Sequence, residues 1–215
     1  MASYKKGIEM RAKILDQTRM IMNDEGLLLT LDQLAQKMGI TKGRLTNYFP
    51  AKDQLFVSLS EKYDEVFQKI IADFDWKNDF SLFQVANLFT QIMDNQYQYR
   101  CVIYYTVVAP VSEVGFSTQL QKSYSENGKG VMNMINKIIS AGLLKTEIVD
   151  PFNYEIFLFQ HLSVFTNWVM TIRTFQRESS YELEKRVFLL SIFMSYFPYF
   201  TDLGKAQFEE LKRAK

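Results

Sequence analysis

The sequence predicts an all-α fold, and three observations predict it. Apolar residues recur at i, i+3, i+4 and i+7 in each periodic stretch. The segments between those stretches carry helix starts and stops: Thr30 with Gln33, Thr41, Ser81 and Asp150-Pro151 as starts, and Gly26, Gly39, Pro50, Pro110 and Pro198 as stops. Strand signals are missing, because the one hairpin-like pair, Asn127-Gly128, has flanks that do not alternate.

The first helix is expected from about Ile8 to Asn23, with Ile14, Thr18, Ile21 and Met22 on its inner face. Thr30 and Gln33 have capping-box spacing for a second, short helix, whose stripe is Leu31, Leu34, Ala35 and Met38. Gly39 supplies the left-handed cap that ends it, and Thr41 caps a third helix burying Leu45, Tyr48 and Phe49 before Pro50. These two short helices around a glycine corner make a helix-turn-helix. A long fourth helix starts near Asp53 and carries Leu55, Phe56, Leu59 and Tyr63 toward Ala72. The polar run Asp73–Phe80 marks a boundary, and a fifth helix follows Ser81. NQYQYR interrupts the pattern before a short helix over Cys101–Val108. Val114–Gly142 reads as a long helix with a kink or break at Gly128 and Gly130. The last long helices are 151–175 and 181–197, followed by a short amphipathic, frayed tail over 205–213.

The third helix presents an unusual outer face. Opposite its apolar side lie Gly43 and Asn47, flanked by Arg44 and Thr46, with Lys42 in the first turn. No acidic residue falls between Leu34 and Ala51. Cations at a helix N-terminus oppose the macrodipole, so Lys42 and Arg44 do not serve helix stability. Arginine and lysine bind guanine edges, asparagine binds adenine, and glycine permits close backbone approach, so this face suits DNA. Lys52 stands where a phosphate would meet a cation and a helix N-terminus together.

Residues 11 to 60 resemble the DNA-binding domain of the TetR family of transcriptional regulators. The resemblance is carried by Arg11, Ile14, Leu15, Gly26 and Thr30, and most specifically by the run GITKGRL…YFPAKDQL. It implies DNA contacts from Thr30, Thr41, Lys42, Gly43, Arg44, Thr46, Asn47, Tyr48 and Lys52. The chain departs from the family at Thr46, where a phosphate-touching tyrosine is usual; the contact is then shortened or passes to Tyr48. Arg44 replaces a commonly small residue and adds a base contact.

Charge is distributed in keeping with this reading. Residues 1–52 hold nine Lys/Arg against five Asp/Glu, a net +4, which leaves −3 for the remainder of a chain whose total is +1. A basic head on a slightly acidic body is the footprint of local DNA contact. A single cysteine, Cys101, rules out an intramolecular disulfide and fits a reducing cytoplasm. The N-terminus lacks an apolar core of signal-peptide length, and the uncharged runs 156–172 and 187–201 fall short of a membrane span. With one histidine and one cysteine no zinc set can be assembled, and phosphate loops and nucleophile elbows are absent, so neither a metal, a cofactor nor an enzymatic activity is expected. His161, in an apolar run, reads as a hydrogen-bonded core residue.

The last two long helices carry more apolar surface than one core face needs. Phe157, Phe165 and Trp168 on one, and Phe188, Phe193 and Tyr196 on the other, are assigned to a homodimer interface within 152–177 and 181–201. The resemblance implies the same, a four-helix dimer. It also implies a pocket for a small apolar effector in the body of the chain. Phe89, Met93, Tyr97, Tyr104, Tyr105, Phe116, Met132, His161, Phe165 and Trp168 are its candidates. The domains are then 1–52 for DNA binding, linked by helix 53–72, and 53–215 for effector binding and dimerisation. The expected function is a ligand-responsive regulator, a repressor on partly palindromic double-stranded DNA. The alternative is a helical small-molecule-binding or adaptor protein without DNA binding, which Thr46 favours.

Overall fold

The computed structural model describes residues 2–76, 80–108, 128–175 and 180–214. Among them every regular element is helical, apart from one antiparallel bridge pairing Leu144 with Phe200. The helices are α1 (Ala2–Glu25), α2 (Leu31–Lys37), α3 (Lys42–Thr46), α4 (Lys52–Asp73), α5 (Leu82–Gln98) and α6 (Arg100–Val108). Then come α7 (128–140), α8 (Pro151–Phe175), α9 (Tyr181–Met194) and α10 (Asp202–Arg213). Short 3-10 turns stand at Thr146–Val149 and Phe197–Tyr199.

Several boundaries differ from those expected, each for a local reason. Helix α1 begins six residues early, since nothing in ASYKKG stops a helix except one glycine. Helix α5 runs through NQYQ to Gln98, because Asn95 and Gln96 are buried rather than turn-forming. Buried Asn95 donates from Nδ2 to the Tyr63 carbonyl at 3.1 Å. Of the helix expected over 114–142, residues 114–127 lie outside the described residues; the described part ends at Gly142 with φ 72°. There the Leu143 amide bonds back to the Ile138 carbonyl at 3.1 Å. The tail is a capped helix, not a frayed one: Thr201 Oγ1 accepts from the Gly204 amide, and Phe208 and Leu211 are buried.

The chain divides into two units, the described residues within 1–69 and 95–111, and those within 70–94 and 112–215. The N-terminal unit therefore takes in most of α4 and all of α6, beyond the sequence boundary at Lys52. Its core gathers Ile14, Leu15 and Met22 of α1, Leu34, Ala35, Leu45 and Phe49 of the helix-turn-helix, and Leu55, Phe56 and Leu59 of α4.

The C-terminal unit is built around rings. Phe89 of α5 lies 5.3 Å from Phe165 and 5.5 Å from Phe193, and Phe157 meets Tyr196 edge-on at 4.7 Å. His161 stacks between Phe157 and Phe165 at 5.5 and 5.4 Å. Trp168 stacks on Tyr181 at 5.2 Å. Each ring contributes roughly 1.5–3 kcal/mol on full burial. Six side chains expected at a dimer interface, Phe157, Phe165, Trp168, Phe188, Phe193 and Tyr196, are thus enclosed by their own chain, at 1–9% exposure. In the single chain they are core rather than open surface.

A backbone strap ties α10 into this unit. The Lys145 amide donates to the Tyr199 carbonyl, and the Thr201 amide to that of Leu143. Gly204 sits so close that an added Cβ would lie 2.1 Å from the Leu143 carbonyl oxygen. Backbone cannot yield as a flexible side chain does, so Gly204→Ala is expected to cost at least ~1–3 kcal/mol, the range for overpacking. Urea unfolding measures it, and an unchanged midpoint would contradict the close approach.

Candidate nucleic-acid interface

The helix-turn-helix is fixed by the caps its sequence encodes. Thr30 Oγ1 accepts from the Gln33 amide at 3.2 Å, and Gln33 Oε1 accepts from the Thr30 amide at 2.8 Å, a closed capping box. Gly39 turns the corner at φ 67°, where the Ile40 amide bonds the Ala35 carbonyl at 3.0 Å. Thr41 Oγ1 then accepts from the Arg44 amide at 3.2 Å to start α3. Loss of such a cap typically costs about 1 kcal/mol, so the corner's geometry is well specified.

Leu45 and Phe49 hold α3 inward, both at 1% exposure or less. The opposite face is open: Thr41, Lys42, Gly43, Arg44 and Asn47 are exposed. Tyr48, expected to be buried with Leu45 and Phe49, is only half-buried, since helical rotation carries it toward the rim. Thr30 is exposed but has its hydroxyl committed to the cap. Thr46 Oγ1 donates to the Gly43 carbonyl at 3.2 Å, so its hydrogen is spent inside the helix and an acceptor faces out. Lys52 Nζ donates to the Leu27 carbonyl, and burial lowers its pKa, partly offset by Asp53. One of its three donors is thus occupied in tying α4 to the α1–α2 connection.

Other contacts position this face without being legible from sequence spacing. Arg11 of α1 donates to Ser58 Oγ of α4 at 2.7 Å, with its guanidinium 4.7 Å from the Phe49 ring centre. Tyr105 of α6 donates to Asp53 Oδ1 at 2.5 Å and stacks on Phe56 at 3.7 Å, nearly parallel at 3°. Arg100 pairs with Asp24 at 2.9 Å, and Asn23 Oδ1 accepts from the Cys101 amide at 2.9 Å. Helix α6 is therefore bonded to the end of α1 and to the first turn of α4.

These contacts also sort the pocket candidates. Tyr97, Tyr104 and Tyr105 belong to the N-terminal unit, where Tyr97 lies under the Arg100 guanidinium at 4.4 Å. Phe89, Met93, His161, Phe165 and Trp168 belong to the C-terminal unit, and Met132 is half-buried on α7. Phe116 lies outside the described residues. His161 is a core residue as expected, but its Nδ1 has no hydrogen-bond partner among the described residues, nor has the Tyr196 hydroxyl. A groove of about 350 Å³ opens between Ser163, Asn167 and Thr171 of α8 and Phe188 and Ser191 of α9, with Trp168 in its wall. Among the described residues no helix is long and apolar enough to cross a membrane, and no three metal-ligating side chains converge.

A capped helix-turn-helix with a basic, acid-free outer helix defines a DNA-binding domain. Residues 14–59 match the family described as bacterial regulatory proteins, tetR family. The N-terminal domain thus belongs to the TetR family, and the chain as a whole has the fold of TetR-family transcriptional regulators. A TetR-family transcriptional regulator from Marinobacter aquaeolei VT8 superposes with a TM-score of 0.82 at 18% identity, over 94% of this chain and 97% of that one. The TetR family protein CprB from S. coelicolor A3(2) does so at 0.68 and 15% identity, covering 96% and 98%. SmeT in complex with triclosan gives 0.62 at 11% identity, over 89% and 92%. No curated protein matches the chain in sequence. Domain and fold together support a DNA-binding transcriptional regulator.

Proposed function

We propose that the chain is a dimeric, ligand-responsive repressor, acting in the cytoplasm as a binding protein rather than an enzyme. The observation that carries the reading is the outer face of α3, where Lys42, Gly43, Arg44 and Asn47 stand exposed on a doubly capped frame. Arg44 and Asn47 read base edges. Thr30, Thr41, Lys42, Thr46, Tyr48 and Lys52 surround them as phosphate contacts. Arg44→Ala or Asn47→Ala is expected to relax sequence preference by ~1–3 kcal/mol per lost bidentate contact. Lys42→Ala should instead weaken specific and random duplexes alike, with a salt slope shallower by about 0.9. Fluorescence anisotropy against both duplexes separates the two roles, and equal losses on both for Arg44→Ala would overturn the assignment.

The operator is partly palindromic because the protein binds as a two-fold dimer. The surface supporting that dimer is the outward stripe Phe152, Ile156 and Phe159 of α8 with Leu183, Val187 and Met194 of α9, at 43–74% exposure. These six stand at i, i+4 and i+7, or i, i+4 and i+11, along one edge of each helix. The effector is small and apolar, bound in the C-terminal unit near Phe89, Met93, His161 and Phe165; fold similarity to triclosan-bound SmeT supports a ligand of that kind. It releases DNA by binding the released conformation more tightly, so operator DNA must weaken effector binding by the same factor. Calorimetric titration of an effector with and without operator tests this linkage. The hydrogen bonds that hold Thr46 and Lys52 inward favour the second reading, a ligand-binding protein without DNA binding, which fails if any duplex binds sequence-specifically.

A further inference from the structure

Arg44, the central cation of the α3 face, extends toward α1: its Nη2 lies 3.8 Å from the Met10 sulfur. Met10 thus marks the edge of α1 that borders the recognition face. At 100° per residue, Lys6 and Lys13 fall within about 60° of Met10 on the helical wheel, four residues before it and three after. Both lysines are exposed, and among the described residues neither makes a hydrogen bond or ion pair. Glu9 lies on the outer flank of the two lysines, about 60° from Lys6 and 40° from Lys13 on that wheel, and is bonded to neither among the described residues. Asp16 is moreover paired with Arg19 at 2.6 Å. Buried Ile14, Thr18 and Leu15, which follow round the helix at about 40°, 80° and 140° from Met10, fix the adjoining side of α1 into the core, so this edge cannot rotate away.

Lys6 and Lys13 are thus exposed cations that continue the α3 face and carry no ion pair among the described residues. Six residues of helix precede Ile8, where the sequence pattern first requires one, and they are what brings Lys6 alongside. We propose that Lys6 and Lys13 form a second phosphate-binding edge, by which α1 grips the DNA backbone beside the half-site that α3 reads. The two lysines are seven residues apart, about 10 Å along the helix axis. A duplex carries one charge per ~1.7 Å of its axis, so both ammonium groups can meet phosphates at once. Ammonium groups on flexible stems suit this task, because backbone contact needs charge rather than a fixed bidentate geometry.

This inference rests on the DNA-binding reading, and the experiment separates the two. Anisotropy titrations over a series of salt concentrations compare the wild type with Lys6→Ala/Lys13→Ala, Lys6→Arg/Lys13→Arg, Arg44→Ala and a remote control, Lys205→Ala, on specific and random duplexes. The double alanine variant is expected to lose affinity by the same factor on both duplexes. Its salt slope should be shallower by about 0.9 per lost contact, or about 1.8 per subunit. The double arginine variant and Lys205→Ala should keep the wild-type slope. If Arg44→Ala changes sequence preference while the double alanine variant keeps the wild-type slope, the DNA-binding reading stands and the α1 edge is overturned. Wild-type protein that binds no duplex overturns both.

Discussion

Val187→Asp is expected to convert the proposed dimer to a monomer and to lower operator affinity by about 10²–10⁴, the gain that linking two binding modules provides. The side chain is 57% exposed on α9, so a carboxylate there costs the single chain little. At a two-fold interface the same patch meets its own copy, which brings an unpaired charge from each subunit into apolar surroundings. The neighbouring groove of about 350 Å³ between α8 and α9 leaves room for a partner's side chains to interdigitate. Substituting Phe193 or Trp168 would not test the same thing. At 1% and 2% exposure these rings hold the monomer together, and a charge there would unfold it. Equilibrium sedimentation reads the result: a Val187→Asp protein that keeps the dimeric mass would place the interface elsewhere.

That distinction between core and surface is where sequence reasoning reached its limit. Both faces of α8 carry large apolar residues, Phe157 and Phe165 on one and Phe152 and Phe159 on the other. Periodicity identifies an apolar helix, but it cannot say which of two apolar faces the chain covers by itself. The helix-turn-helix was readable because its determinants are local. Thr30 meets Gln33, Thr41 meets Arg44, and Gly39 needs a left-handed backbone, all within a few residues. The outer face of α3 followed from that geometry at once. By contrast, Tyr105 meets Asp53 across 52 residues and Arg11 meets Ser58 across 47. Nothing in either local stretch signals the partner, so Tyr105 reads as one more aromatic residue in a pocket-like region. Gly204 gave no signal either, since its role depends on a carbonyl some sixty positions away.

Lowering the pH from 7 toward 4 is expected to destabilise the C-terminal unit through one residue, His161. Its ring is 2% exposed and enclosed by Phe89, Phe157, Phe165 and Tyr196, with no carboxylate among these neighbours. Burial pushes its pKa down to about 3 from an ordinary value of 6.5. The folded protein therefore keeps a neutral imidazole throughout this range, while the unfolded chain takes up a proton as pH falls below 6.5. The unfolded state binds more protons, so stability declines with falling pH between about 6.5 and 3, by roughly 1.4 kcal/mol per pH unit once well below 6.5. Above 6.5 the contribution is fully present. His161→Phe keeps an aromatic ring against its neighbours and removes both the titration and the unpartnered Nδ1. Urea unfolding of both proteins at several pH values isolates the effect, because carboxylates common to the two cancel in the difference. The wild type should lose stability relative to His161→Phe by several kcal/mol between pH 7 and 4, close to half the stability of a typical domain. A difference that does not change with pH would mean that water or an acceptor reaches Nδ1 in solution and that the ring cluster is more open than its packing indicates.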